Sequence, residues 1–155
     1  MAVMPVPRSD TPLIPLPFPE ATHHHLESLA DDVHRTYFVK YPPLPVRWGQ
    51  QISRKKRRSI RLGSYNHHTT EVRIHPILNA PGVPYFFVQS VIYHEYLHHV
   101  LGPHHNRRFH QAERKFRYHR ESQEWIRRNL FLLLGRKPAM RPAPLPPRYV
   151  QVALF

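Results

Sequence analysis

The sequence predicts an α+β fold: a helix, a small antiparallel β-sheet or hairpin, a buried second helix and a long final helix, between proline-rich terminal arms. Three observations predict it. Apolar residues recur at helical spacing in three stretches, short alternating runs fill the region between the first two, and proline gathers at both ends. At 155 residues the chain is long enough for one domain with a real core and too short for two full ones.

Residues 1–20, MAVMPVPRSDTPLIPLPFPE, carry proline every two or three positions and are expected to be an extended arm, either disordered or draped on the body. They lack the charged start and unbroken apolar core of a signal peptide. The expected domain covers residues 21–136. It opens with Leu26, Leu29, Ala30, Val33 and Tyr37 at helical spacing over about residues 22–39, and YPPLP at 41–45 ends that helix. From Val46 the texture shifts to VRWG, then SIRLGSY, the polar turn NHHTT, and EVRIHPIL. Val72 and Ile74 alternate with polar residues after that turn, and together with the turn-rich break this reads as a β-hairpin. PGVP at 81–84 resets the chain.

A strong helix follows over residues 85–101. It is apolar on nearly every side through Phe86, Phe87, Val88, Val91, Ile92, Leu97, Val100 and Leu101, so it is expected to be buried. Gly102-Pro103 stops it, and Asn106 is a good N-cap for what comes next. From there Phe109, Ala112, Phe116, Ile126, Leu130 and Leu133 are compatible with one long helix to about residue 134. Trp48 and Trp125 are expected in the core. Residues 137–155, KPAMRPAPLPPRYVQVALF, are expected to be the second arm, whose apolar end adds as an edge strand, binds a groove or stays a loose tail. No internal repeat is visible, and the order of elements is that of an α+β protein.

Composition narrows the function. The absence of cysteine excludes disulfides, thiolate zinc ribbons and a cysteine nucleophile, and agrees with a reducing compartment. A formal charge of +13, from 23 Lys and Arg against 10 Asp and Glu, favours a polyanionic partner such as DNA or RNA. An anionic membrane surface fits the charge as well, but no stretch is long enough to span a bilayer. A soluble, cytoplasmic monomer is the expectation.

The chemistry sits in His94-Glu95-Tyr96-Leu97-His98, an HExxH motif. Residues four apart on a helix share a face, so His94 and His98 can hold one ion with neutral imidazole nitrogens. Glu95 stands beside them, able to take a proton from a metal-activated water, and three protein ligands leave a fourth position for that water. With 14 histidines in the chain the five residues alone are moderate evidence. The context is stronger. Three polar side chains inside an apolar helix are costly to bury without a shared purpose, and histidines return within reach just after the helix stops.

RLGSYNHHTTEVRIHPIL followed by VIYHEYLHHVLGPHHNRRF resembles the SprT-like zinc metallopeptidases over roughly residues 48–116. The resemblance implies a strand pair ahead of the HExxH helix. It implies zinc, one per chain, on His94, His98 and a histidine after Gly102-Pro103, with Glu95 as the base. His104 and His105 compete for the third place. His104 lies ten residues after His94, whereas His105 lies one helical turn before Phe109 and so keeps the family's link between ligand and packed aromatic. His105 is preferred, because a loop absorbs an extra residue more readily than a packed helix absorbs a register shift. The expected activity is a zinc metalloendopeptidase acting on protein or peptide substrates, with DNA-associated proteins as one class. The alternative is a basic nucleic-acid-binding protein whose zinc is structural or vestigial.

The sharpest basic cluster is Arg54, Lys55, Lys56, Arg57, Arg58 and Arg61, read either as phosphate contacts or as a solvated hairpin face. A second set, Arg107, Arg108, Arg114, Lys115, Arg117 and Arg120, follows the motif and reads best as an exposed face. His67, His68 and His75 lie in and beside the hairpin without the carboxylates a second ion would want. Tyr65 either packs with its hydroxyl at a rim or, if the hairpin borders the cleft, stabilises a tetrahedral intermediate.

Overall fold

A computed structural model describes residues 23–50 and 60–134; both arms and the run from Arg54 to Arg58 lie outside them. The order is α1 (Leu26–Tyr37), β1 (Val46–Trp48), β2 (Gly63–Asn66), β3 (Glu71–Ile74), a 3-10 turn (Pro76–Leu78), α2 (Tyr85–Leu101), α3 (Arg107–Glu113) and α4 (His119–Leu133). This is the expected α+β class. Among the described residues no helix is long and apolar enough to cross a membrane.

The hairpin forms where the alternation placed it. β2 pairs antiparallel with β3 across the 67–70 turn, with Tyr65 opposite Val72 and Gly63 opposite Ile74. The turn holds itself together locally: Asn66 Oδ1 accepts from His68 N at 2.9 Å, and Thr70 takes a left-handed φ of 54°. The sheet is not purely antiparallel, however. β1 runs parallel to β3, with Val46 opposite Val72, giving the order β1-β3-β2. The long passage between β1 and β3 contains β2 itself, which leaves room for the crossover that a parallel pair needs.

α2 is the centre of the molecule. Phe87, Val88 and Ile92 are wholly buried, and α1, the sheet, α3 and α4 surround the helix. Gln89 Nε2 donates to Asp32 Oδ2 at 2.8 Å, and the Tyr96 hydroxyl accepts from Leu44 N at 3.0 Å, tying α2 to α1 and to the approach to β1. Trp125 rests on Phe87 with ring centroids 4.4 Å apart, and Trp48 is half-buried against the same core. Gly102 caps α2 at φ 91°, a left-handed conformation that glycine adopts without strain.

The single long helix expected after Asn106 is instead two helices. The break has no proline or glycine in it; two tyrosine hydroxyls make it. Tyr93 donates to Ala112 O at 2.6 Å, and Tyr37 accepts from Arg117 N at 2.9 Å. Ala112 O also accepts from Lys115 N at 3.1 Å in a tightened last turn, and the chain turns while Phe116 is buried against the rings of Tyr37 and Tyr93.

Candidate metal centre

His94 and His98 leave the same face of α2, one turn apart, as the motif requires. Gly102 then turns the chain so that residues 103–105 fold back toward that face. Asn106 caps α3, accepting from Phe109 N at 3.0 Å, and so fixes where His105 stands at the entry to the helix. The three Nε2 atoms converge: His94 to His98 3.0 Å, His98 to His105 3.0 Å, and His94 to His105 3.2 Å. A tetrahedral ion bound at about 2.0–2.1 Å spaces its nitrogen ligands by only slightly more than this. These three histidines are close enough to hold a metal ion. His104 is exposed and outside the cluster, so of the two adjacent histidines it is His105 that meets the helix pair.

The tautomers follow from the partners. His94 Nδ1 lies 2.8 Å from Glu113 Oε1, and His98 Nδ1 lies 3.0 Å from the carbonyl of Gly102. A carbonyl and an ionised carboxylate only accept, so both Nδ1 atoms carry the proton and both Nε2 atoms present lone pairs. Facing lone pairs 3.0 Å apart repel one another unless a cation or a proton lies between them. Burial, the proximity of the other imidazoles and, for His94, the nearby His110 hold His94 well below the usual histidine range; burial also lowers His98 and His105. Protonation is therefore disfavoured, and the neutral imidazole is the form that ligates a metal ion.

Beneath the imidazoles lies Phe109, wholly buried, with its ring centroid 4.8, 4.8 and 4.9 Å from those of His94, His98 and His105. Glu113, one turn further along α3, bridges His94 and His110, the latter at 3.3 Å. Glu113 is not among the candidate site residues that the motif spacing singles out. Its signal was there: a carboxylate four residues past the aromatic shares that aromatic's helical face.

Glu95 is 2% exposed, and burial pushes its carboxyl up to about 8, against an opposing pull from Arg61. Its space exists because of Gly63. A Cβ on that residue would lie 2.6 Å from Glu95 Oε1 and 2.7 Å from Val91 Cγ1, so β2 approaches α2 as closely as it does only with glycine there. A glycine inside a strand marks such an approach, and here the sequence reading did not use it.

Glu95, His98 and His105 open onto a cleft of about 170 Å³ lined also by Arg61, Tyr65, His67 and Pro103. At roughly 30 Å³ per water that is room for a few waters or one peptide group. A larger hollow of about 760 Å³ between α1 and β1 touches α2 only through Tyr96. Arg61 is thus the one predicted basic contact placed at the cleft among the described residues. Arg107, Arg108, Arg114, Lys115, Arg117 and Arg120 are exposed, as expected of a solvated face. No family model, curated protein or solved structure matches the chain.

Proposed function

We propose that this chain is a zinc-dependent endopeptidase of the SprT-like kind. The observation that carries the reading is the convergence of His94, His98 and His105 within 3.2 Å beside a buried glutamate in an open cleft. Three imidazoles suit zinc, and a structural zinc is usually closed by four protein ligands, whereas three converge here among the described residues. When bound, zinc supplies an acidified water and polarises the carbonyl under attack.

The chain's own residues do the rest. Glu95 Oε takes the proton as the water attacks, then returns it to the leaving amine nitrogen as the C–N bond breaks. A carboxylate whose burial raises its proton affinity is suited to both transfers. Glu113 and the Gly102 carbonyl keep two imidazoles in the ligating tautomer. Among the described residues β2 is an edge strand beside the cleft, so an extended polypeptide can pair with it and lay its backbone across Glu95. The cleft holds little more than the scissile group, and the remainder of a substrate lies on the surface.

The test is elemental analysis of purified chain together with cleavage of an unfolded protein substrate. The expected outcome is about one zinc per chain, zinc retained but cleavage abolished in Glu95→Gln, and zinc lost in His94→Ala and His105→Ala but kept in His104→Ala. Retained cleavage in Glu95→Gln refutes its role, and a chain that takes up no zinc removes the reading. The second reading, a basic nucleic-acid binder with an inert ion, draws on the +13 charge and exposed arginines. It predicts salt-dependent binding of DNA or RNA that persists in Glu95→Gln with no cleavage by the wild type. If both activities occur, DNA-associated proteins become the natural substrate class, with Arg61 and the adjoining Arg54, Lys55, Lys56, Arg57 and Arg58 as the contacts to mutate.

A further inference from the structure

β2 and α2 meet in two successive contacts that keep step with one another. Gly63 and Tyr65, two apart on a strand, share a face, and so do Glu95 and His99, four apart on a helix. Two strand residues advance about 6.6–6.8 Å and four helical residues about 6.0 Å, so a contact at one pair brings the next into register. Gly63 abuts Glu95, and one step on the Tyr65 hydroxyl lies 2.5 Å from His99 Nδ1. The Tyr65 ring meets His99 at 5.4 Å and His67 at 5.0 Å between centroids, both edge-on. Tyr65 and Glu95 therefore line the same small cleft at a separation fixed by two elements of secondary structure.

We propose that the Tyr65 hydroxyl, oriented by His99, is a catalytic hydrogen-bond donor to the oxyanion that forms when the peptide carbonyl is attacked. The assignment rests on the peptidase reading and extends it to a second residue of the chemistry. The assignment requires His99 as the Nδ1–H tautomer, in which that N–H donates to Tyr65 Oη and leaves the phenolic proton for a group in the cleft. As water oxygen bonds to the carbonyl carbon, its proton passes to Glu95 and the carbonyl π electrons move onto oxygen. Tyr65 O–H donates to that oxygen without giving up its proton. When the C–N bond breaks, the carbonyl reforms, Glu95 protonates the amine and the Tyr65 hydrogen bond weakens to its starting strength. A donor fixed before the reaction costs no reorganisation during it, which is why such groups act on turnover more than on binding. Burial raises the phenol further above neutrality, so the donor keeps its proton.

The experiment compares wild type, Tyr65→Phe, His99→Phe and the double variant as full-length zinc-loaded chains. Four quantities are read: zinc per chain, thermal midpoint, kcat and KM on a peptide, and affinity for a phosphinic peptide that mimics the tetrahedral state. The expected result is a fall in kcat of about 10²-fold in Tyr65→Phe, the size found for loss of one oxyanion donor, with KM, zinc and midpoint unchanged. Phosphinic-peptide affinity should fall by a similar factor. His99→Phe should lose less, about 10-fold, and the double variant no more than Tyr65→Phe, because the two act through one hydroxyl. Unchanged kcat in Tyr65→Phe overturns the assignment, and so does a loss that tracks lost zinc or a lowered midpoint, which would mark a structural role. A wild type that binds zinc but cleaves nothing removes the peptidase reading, and this assignment with it.

Discussion

The motif half of α2 is flanked by two elements that serve it differently. On one side α3 presses Phe109 under three imidazole rings and presents Glu113 to His94. On the other, β2 comes close by having no side chain at Gly63, and what it shapes is the pocket of Glu95. One flank supports the three imidazoles through contact; the other places Glu95 through vacancy. On the proposed reading, ion-holding and proton transfer are thus built from separate elements, and substitutions on the two sides should fail in different ways.

The largest effect is expected at Phe109. Phe109→Ala removes a wholly buried ring and should cost about 3–5 kcal/mol of stability in urea unfolding, measured with a chelator present. The imidazoles lose their common floor, so zinc affinity should fall as well. A loss under 1 kcal/mol would mean that the rings are held from elsewhere.

On the opposite flank, Gly63→Ala puts a methyl group 2.6 Å from Glu95 Oε1. The carboxylate must move, and kcat should fall by about 10²-fold, the lower range for a displaced general base. Zinc per chain should stay at the wild-type value. Loss of zinc along with turnover would join the two flanks into one unit and break the distinction. Glu113→Gln tests it from the other direction: zinc affinity, read by competition with a coloured chelator, should drop about 10–100-fold while kcat at saturating zinc changes little.

The flanks also differ in how far the sequence reveals them. The α2 ligands lie in one helical turn, so a spacing rule finds them, and Gly102-Pro103 with Asn106 announces the turn that returns His105. The hairpin is legible because Val72 and Ile74 alternate with polar residues just after a polar turn. What escaped depends on distant partners. The kink between α3 and α4 is made by hydroxyls of Tyr37 and Tyr93, both remote in sequence, so periodicity ran straight through it. β1 joins β3 in parallel, a pairing between strands that are not neighbours in the chain and that alternation cannot distinguish from a meander. Gly63 and Glu113 matter only because of what packs against them.

The smallest effect distinguishes the flanks by pH in the metal-free protein. Burial holds His94, His98 and His105 below the usual 6.5, so below that pH the unfolded chain binds more protons than the folded one. Their contribution to stability is therefore lost as pH falls under about 6.5. Glu95 acts oppositely, because its folded carboxyl is pushed from the usual 4.5 up to about 8. Between those values the folded chain binds the extra proton, and stability declines as pH rises through that window. From about pH 7.5 to 8.5, where the histidines are nearly neutral in both states, Glu95 dominates the slope among the four, at most about 1.4 kcal/mol per pH unit. Urea unfolding at closely spaced pH values should show that decline in the wild type, and Glu95→Gln should flatten it. His94→Gln should instead soften the loss on the acid side and leave the alkaline decline in place. An alkaline slope that survives Glu95→Gln would place the raised proton affinity on another group and leave β2 without its role in holding the base.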